Sequence, residues 1–315
     1  MKHTKPSTPS YTLSEAIEQF LYAKRVRRLS PNTLKDYERT LRRLSHFLSG
    51  DIPVNEITPA HIRRFMASIK LSNKSLLNIY VGLSSFWSWM VREEICDQNL
   101  MRKVERPRPE IRAISPFTRA EIDQLFQSIE KSAVYSRPGK KPCAHRLKDY
   151  YRSKAILLIL LDTGMRASEL CGIRFLDFLS RTQVRVFGKG NKERILPLSE
   201  VTVRAIEEYV EKERPPVSSQ HEYVFVIRSG KRLFAHDLYH RILRIGQRAG
   251  IHANPHRFRH TFAINFLRNG GDIYALQAIL GHTSLEMVKR YLAIARADVE
   301  TAHKKASPVI CWNLG

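Results

Sequence analysis

Cysteine is scarce. Cys96, Cys143, Cys171 and Cys311 lie far apart in 315 residues, and no two stand at a zinc-site or disulfide-framework spacing, so free thiols in a reducing compartment are expected. Long apolar runs are missing too. The longest aliphatic stretch, Ala155–Leu161, falls far short of the roughly 20 residues of a membrane helix. The basic start Met1-Lys2-His3-Thr4-Lys5-Pro6 is followed by no apolar signal region, which predicts a soluble, intracellular protein with no membrane contact. Internal repeats and low-complexity tracts are absent. Acidic residues are in short supply: 30 Asp and Glu face 53 Lys and Arg, a formal charge of +23. The excess runs along the whole chain. Such a field repels a protein from its own copies and is explained by a polyanionic partner. Nucleic acid leads; ribosomal RNA, acidic lipid or a merely solvated basic surface are the blander alternatives.

The first hundred residues read as four amphipathic helices. Thr12 with Glu15 fits a capping box ahead of Ile17, Phe20 and Leu21. Ser30-Pro31 and Thr58-Pro59 supply an N-cap and a first-turn proline before apolar residues at helical spacing. A last segment carries Leu76, Leu77, Tyr80, Leu83, Phe86, Trp87 and Met90. The polar faces hold many arginines and lysines, Arg39, Arg42, Arg43, Arg63 and Arg64 among them. Singly these read as solvated surface; together they suggest a DNA clamp. Arg106-Pro107-Arg108-Pro109-Glu110 cannot continue a helix and reads as a linker. Beyond it, Thr118 with Glu121 opens another helix, a polar basic insertion spans Tyr135–Lys148, and a buried helix runs from Arg152 to Leu161. Gln183–Phe187 and Glu193–Leu198 read as a hairpin around Gly188-Lys189-Gly190-Asn191-Lys192. Leu198–Glu213 reads as helix, Tyr223–Val226 as a short strand, and the chain from His236 onward as mostly helix.

The densest chemistry lies between His256 and Tyr291. In His256-Arg257-Phe258-Arg259-His260, a His and an Arg three apart share a helix face and repel each other unless an anion sits between them. Gly281-His282 and the lone Tyr291 of the next helical segment add another donor and an oxygen nucleophile. That set can attack a phosphate with a phenol. Each member has an ordinary structural reading: Arg166 paired to Glu169, Lys189 as a turn lysine, His282 as a cap between helices, Tyr291 as a core tyrosine beside Met287 and Ile294. His256 and His260 also stand four apart, as two zinc ligands can, but Arg257 occupies the place of the gluzincin glutamate, and two arginines repel a divalent cation. Catalysis without a metal is expected.

Taken in order, Thr163-Gly164-Met165-Arg166-Ala167-Ser168-Glu169-Leu170, Gly188-Lys189-Gly190-Asn191-Lys192-Glu193-Arg194, His256-Arg257-Phe258-Arg259-His260, Leu280-Gly281-His282-Thr283 and Tyr291 resemble the tyrosine recombinases, or phage integrase family. The resemblance covers essentially the whole second domain and, more weakly, the helical first. It implies that Arg166 and Arg259 grip a scissile phosphate, that Lys189 is the hairpin lysine, that His256 and His282 are the two histidines, and that Tyr291 is the nucleophile, with Glu169 in support. The physics is compatible. Guanidinium forks match phosphate oxygens and stay charged. Such preorganised donors are usually the largest catalytic effect. A lysine on a glycine-flanked turn can protonate a leaving 5′-oxygen. A tyrosine with a pKa near 10 needs a base or a strong positive field; His256 and Glu169 are both candidates. The insertion departs from the shortest family members.

The expected fold is mainly α with a small antiparallel β-sheet: a flexible N-terminus over 1–10, a helical core-binding bundle over 11–104, a linker over 105–114, a mixed α/β catalytic domain over 115–301 and a tail over 302–315. The resemblance further implies a 3′-phosphotyrosyl intermediate, no cofactor, double-stranded DNA carrying specific sites as partner, a monomer in solution and a homotetramer on DNA passing through a Holliday junction. It leaves room for an accessory directionality factor. The expected place is the cytoplasm, at the nucleoid. Integration or excision of a mobile element leads, ahead of chromosome-dimer resolution. A helix-turn-helix regulator built on Asp272–Leu280 and Ser284–Ala295 is the non-catalytic rival, and a type IB topoisomerase the enzymatic one. The apolar cluster Val309, Ile310, Cys311, Trp312 and Leu314 is expected to be buried, in a neighbouring protomer if the family's exchange of C-terminal segments holds here.

Overall fold

Helix starts in the first hundred residues coincide with side chains able to satisfy the free N–H groups of a first turn. A computed structural model describes residues 11–109, 115–130, 147–188, 192–216, 222–281 and 285–295, with His303, Ser307 and Val309. The chain divides into two units, Met1–Arg112 and Ala113–Gly315. In the first, α1 (Leu13–Val26) opens on a reciprocal box: the Glu15 N–H donates to the Thr12 hydroxyl at 3.3 Å, and the Thr12 N–H to the Glu15 carboxylate at 2.9 Å. Ser30 caps α2 (Pro31–Phe47). Thr58 caps α3 (Pro59–Ser68), where the His61 ring takes the place usually held by a glutamate. Ser72 caps α4 (Asn73–Arg92). Their inward faces merge in one core that includes Phe20, Leu41, Leu44, Phe65, Leu83, Phe86 and Trp87, with Phe20 edge-on to Phe86 at 5.3 Å. Residues 105–109 carry no regular structure; the rest of the expected linker, 110–114, lies outside the described residues.

In the second unit, α5 (Arg119–Glu130) starts on the expected Thr118–Glu121 box, with bonds of 2.8 and 3.2 Å. The insertion, through residue 146, lies outside the described residues. α6 (Tyr150–Thr163) is buried on most sides, consistent with its aliphatic sequence. It stops at Gly164, whose φ of 59° suits glycine; a Cβ there would lie 2.4 Å from the Phe262 ring. The short α7 (Ala167–Leu170) follows. A three-stranded antiparallel sheet, β1 (Phe178–Ser180), β2 (Gln183–Phe187) and β3 (Glu193–Pro197), is ordered β1-β2-β3. Val184 pairs with Leu196 and Val186 with Arg194, and both valines point into the core. Ser199 caps α8 (Glu200–Lys212). α9 (Ala235–Ala249), α10 (Pro255–Arg268), α11 (Ile273–Leu280) and α12 (Glu286–Ala295) complete the described helices. None of the described helices is long and apolar enough to cross a membrane.

Two details differ from the sequence reading. The stretch 223–226 is no strand; it makes single bridges, Tyr223 to Arg174 and Val226 to Arg232. Val224 and Phe225 are buried, so the apolar run serves the core rather than a ladder. The strand β1 is new. Three residues are too few to show a period of two, and its register slips between Phe178 and Ser180.

Candidate active site

Arg259 lies one turn into α10, a helix whose start is set by the Asn254 cap and Pro255. Only 4% of it is exposed. Its Nη1 donates to the Gly164 carbonyl at 2.8 Å and its Nη2 to the Leu280 carbonyl at 2.7 Å. Those carbonyls stand at the C-terminal ends of α6 and α11, where helix geometry leaves acceptors over. Both helices end on left-handed glycines, Gly164 and Gly281. One guanidinium thus ties two helix ends together. Burial first, and then Arg166, lower its pKa to about 10, still well above neutral pH.

Arg166 stands just before α7. It donates to Glu169 at 2.9 Å and more weakly to the Leu280 carbonyl at 3.4 Å, so it shares an acceptor with Arg259. Its side chain is 34% exposed. Glu169 is buried and saturated: it accepts from the Arg166 N–H and from both Nη atoms of Arg194, at 3.0 and 2.8 Å. Burial alone would raise its pKa. The Arg194 bonds and the Arg166 contacts outweigh that and hold it below the usual carboxylate range. From β3, Arg194 also donates its Nε to the Ile279 carbonyl at 2.6 Å.

Tyr291, on α12, is 2% exposed. Its hydroxyl lies 2.8 Å from His260 Nδ1 and takes a hydrogen bond from Arg259. Burial raises its pKa, while Arg259 and then Arg166 pull it down by less. The His260 pKa falls to about 4, through burial first, then His256 and Arg259, so the ring is neutral at physiological pH. In the tautomer with Nδ1 unprotonated, the phenol donates its hydrogen to that nitrogen. The exposed His256 ring lies 6.5 Å from that of His260 on the same face of α10.

Arg166, Glu169, Arg259 and Tyr291 therefore come together, with His256 one turn from His260. Lys189 and His282 lie outside the described residues. Their predecessors are placed: a Cβ on Gly188 would lie 3.5 Å from Glu169, and one on Gly281 3.0 Å from Arg194. The hairpin base and the end of α11 thus both abut the Glu169–Arg194 pair. Two contributors went unassigned in the sequence. His260 carries no role in the expected chemistry, although its four-residue spacing from His256 places it on the same face. Arg194 sat inside a quoted motif with no role, and nothing local marks it. Glu169, one of two residues weighed as base for Tyr291, is instead engaged by two arginines. Among the described residues no group of three or more His, Cys, Asp or Glu could hold a metal ion.

The model of the phage integrase family matches residues 117–297, more than half of the chain. The chain belongs to that family. A second family model, the phage integrase N-terminal SAM-like domain, matches residues 17–97. The tyrosine recombinase XerD of Halalkalibacterium halodurans is 28% identical over 94% of this chain and 99% of its own length. XerC of Staphylococcus saprophyticus is 29% identical over 93% and 98%. Among solved structures, a lambda integrase fragment, as a dimer bound to a core site, superposes with a TM-score of 0.71 at 17% identity over 88% of this chain and 97% of its own. The Tn1549 transposon integrase in complex with a circular intermediate DNA gives 0.68 at 21% over 91% and 99%. Those two likenesses are of fold. The mainly helical architecture with a small antiparallel sheet is the one expected.

Proposed function

We propose that the chain is a site-specific tyrosine recombinase that cuts and rejoins double-stranded DNA through a covalent 3′-phosphotyrosyl bond. The observation that carries the reading is the Tyr291 hydroxyl, held between Arg259 and the neutral His260 beside a second, partly exposed arginine. Arg259 and Arg166 take the non-bridging oxygens of the scissile phosphate, where charge grows in the transition state. Tyr291 loses its proton to His260 and attacks phosphorus. The P–O5′ bond breaks, and Lys189 protonates the leaving 5′-oxygen. Rejoining reverses the sequence when an incoming 5′-hydroxyl attacks the phosphotyrosine. The bond energy stays in that ester, so no nucleotide cofactor is required. His256 and His282 donate to the same phosphate. Glu169 and Arg194 hold Arg166 and the hairpin in place.

Family membership and the names of the relatives support this reading over a helix-turn-helix regulator, which needs neither Arg166 nor Lys189. We assign DNA clamping to 11–104 and catalysis to 115–301, joined by 105–114, with a homotetramer forming on DNA from monomers. The strong charge and the basic insertion favour a mobile-element integrase. The end-to-end similarity to XerD and XerC recombinases favours chromosome-dimer resolution. Attachment-like repeats flanking the gene point to the first, and their absence to the second.

The nucleophile is tested with Tyr291→Phe on a nicked suicide substrate. DNA binding persists nearly unchanged and the covalent protein–DNA adduct disappears. An adduct formed by the Phe variant excludes Tyr291.

A further inference from the structure

Away from Tyr291 and its partners, the N-terminal end of α6, the turn at 227–229 and one side of α9 enclose a cleft of about 520 Å³. Five guanidiniums, those of Arg152, Arg228, Arg241, Arg244 and Arg248, line it together with Ser229 and a single carboxylate, Asp149. Asp149 is already engaged by Arg241 and lies 4.0 Å from Arg152. Like charges gathered this closely repel unless an anion joins them.

Arg152 sharpens the point. It is 3% exposed, and its Nε is buried with no hydrogen-bond acceptor, which is uncommon for a buried donor and asks for an explanation. The nearby carboxylates do not cancel the excess. Glu213 stands 3.9 Å from that Nε, outside hydrogen-bond range, and its own pKa is raised by burial. The Arg152 pKa is lowered by burial and then by Arg241, despite Glu213 and Asp149. Arg228, Ser229, Arg244 and Arg248 are exposed, so donors reach the cleft from its solvent side as well as from within.

We infer that this cleft is a binding site for a phosphate group. A tetrahedral phosphate anion accepts from several guanidinium forks and a hydroxyl at once, and the volume falls in the range of small-ligand clefts. The phosphate comes either from the backbone of a bound duplex, away from the crossover, or from a free phosphorylated small molecule. Only the first source rests on the recombinase reading.

Pyrophosphate is the probe, titrated calorimetrically into the full chain. The test variant is Arg244→Gln/Arg248→Gln, two exposed α9 positions where Gln keeps helix propensity. The parent binds pyrophosphate saturably, one per chain, and the double variant binds at least about tenfold more weakly, the loss of roughly one charge-assisted contact. Duplex binding is then measured against salt. A slope of log affinity on log salt that drops by about 1 or more in the variant, with pyrophosphate competing, assigns the cleft to DNA backbone. An unchanged slope with the pyrophosphate loss intact assigns it to a free ligand. Equal pyrophosphate affinity in parent and variant, or no saturable binding by the parent, overturns the site. If the parent binds no duplex at all, the recombinase reading falls while the pyrophosphate titration still decides the cleft.

Discussion

At the scale of single residues, His260 is the contact set to govern the state of Tyr291, the proposed nucleophile. Its Nδ1 lies 2.8 Å from the Tyr291 hydroxyl, and the ring is neutral above about pH 4, which leaves it a lone pair for the proton but by the same depression makes it a weak base. His260→Ala should slow adduct formation by about 10²-fold or more, the usual worth of a positioned general base. His260→Gln keeps a polar partner for the phenol but accepts no proton at neutral pH; full activity in the Gln variant would reduce His260 to a positioning role. The same ring makes stability depend on pH. Its pKa is near 6.5 unfolded and about 4 folded, so the unfolded chain binds more protons between those values. Stability rises with pH across that window and is lost as pH falls towards 4. Calorimetric unfolding of His260→Gln should show a shallower dependence there; an identical profile would mean that His260 does not titrate as argued. Arg166, Arg259 and Tyr291 were legible because an ordered set of motifs singles them out. His260 was only half legible: spacing gives a shared face, but not what α12 brings against it.

Among the elements, caps were the most legible feature because they are local. Thr12, Ser30, Thr58 and Thr118 each begin a helix through contacts three residues away. Strand β1 and the stretch 223–226 were not, since partners distant in sequence decide whether a short apolar run pairs or packs. Arg194 belongs to that second class. It joins β3, α7 and the end of α11 through Glu169 and Ile279. Its side chain is 11% exposed and that of Glu169 2%, so removing Arg194 leaves a buried carboxylate with its Arg166 contacts alone. Arg194→Ala should cost about 3–5 kcal/mol in urea unfolding, and adding Glu169→Gln should recover part of it. Additive losses would show that the two do not act as a pair. The hairpin also carries Lys189, whose proposed protonation of the 5′-oxygen has its own signature. Lys189→Ala should cleave ordinary DNA poorly and recover selectively on a 5′-bridging phosphorothioate, whose leaving group needs little protonation. Absence of rescue would leave Lys189 a positional role.

For the whole molecule, three buried apolar clusters among the described residues, one in the first unit and two in the second, and a charge of +23 suit a partner of opposite charge, yet neither says how copies meet. The chain after Ser307-Pro308 bears on that. Val309, Ile310, Cys311, Trp312 and Leu314 form an apolar cluster; all but Val309 lie outside the described residues, and Val309 is 59% exposed. Apolar side chains gathered in so short a stretch favour a cover. A neighbouring protomer can provide it only when protomers assemble on DNA, whereas docking on the parent unit would serve an isolated chain equally well. The two arrangements separate by their response to truncation. If the cover is a neighbour, deleting residues 308–315 should spare binding to a single site, because the arginines and the bundle are untouched. It should weaken cooperative occupancy of paired sites and change cleavage, because α12, which carries Tyr291, leads into this segment. Gel-shift titration on one-site and two-site duplexes, run beside a suicide-substrate cleavage assay, reads both effects. A truncated protein that still assembles into synaptic tetramers and recombines at the parental rate would assign the segment no part in assembly.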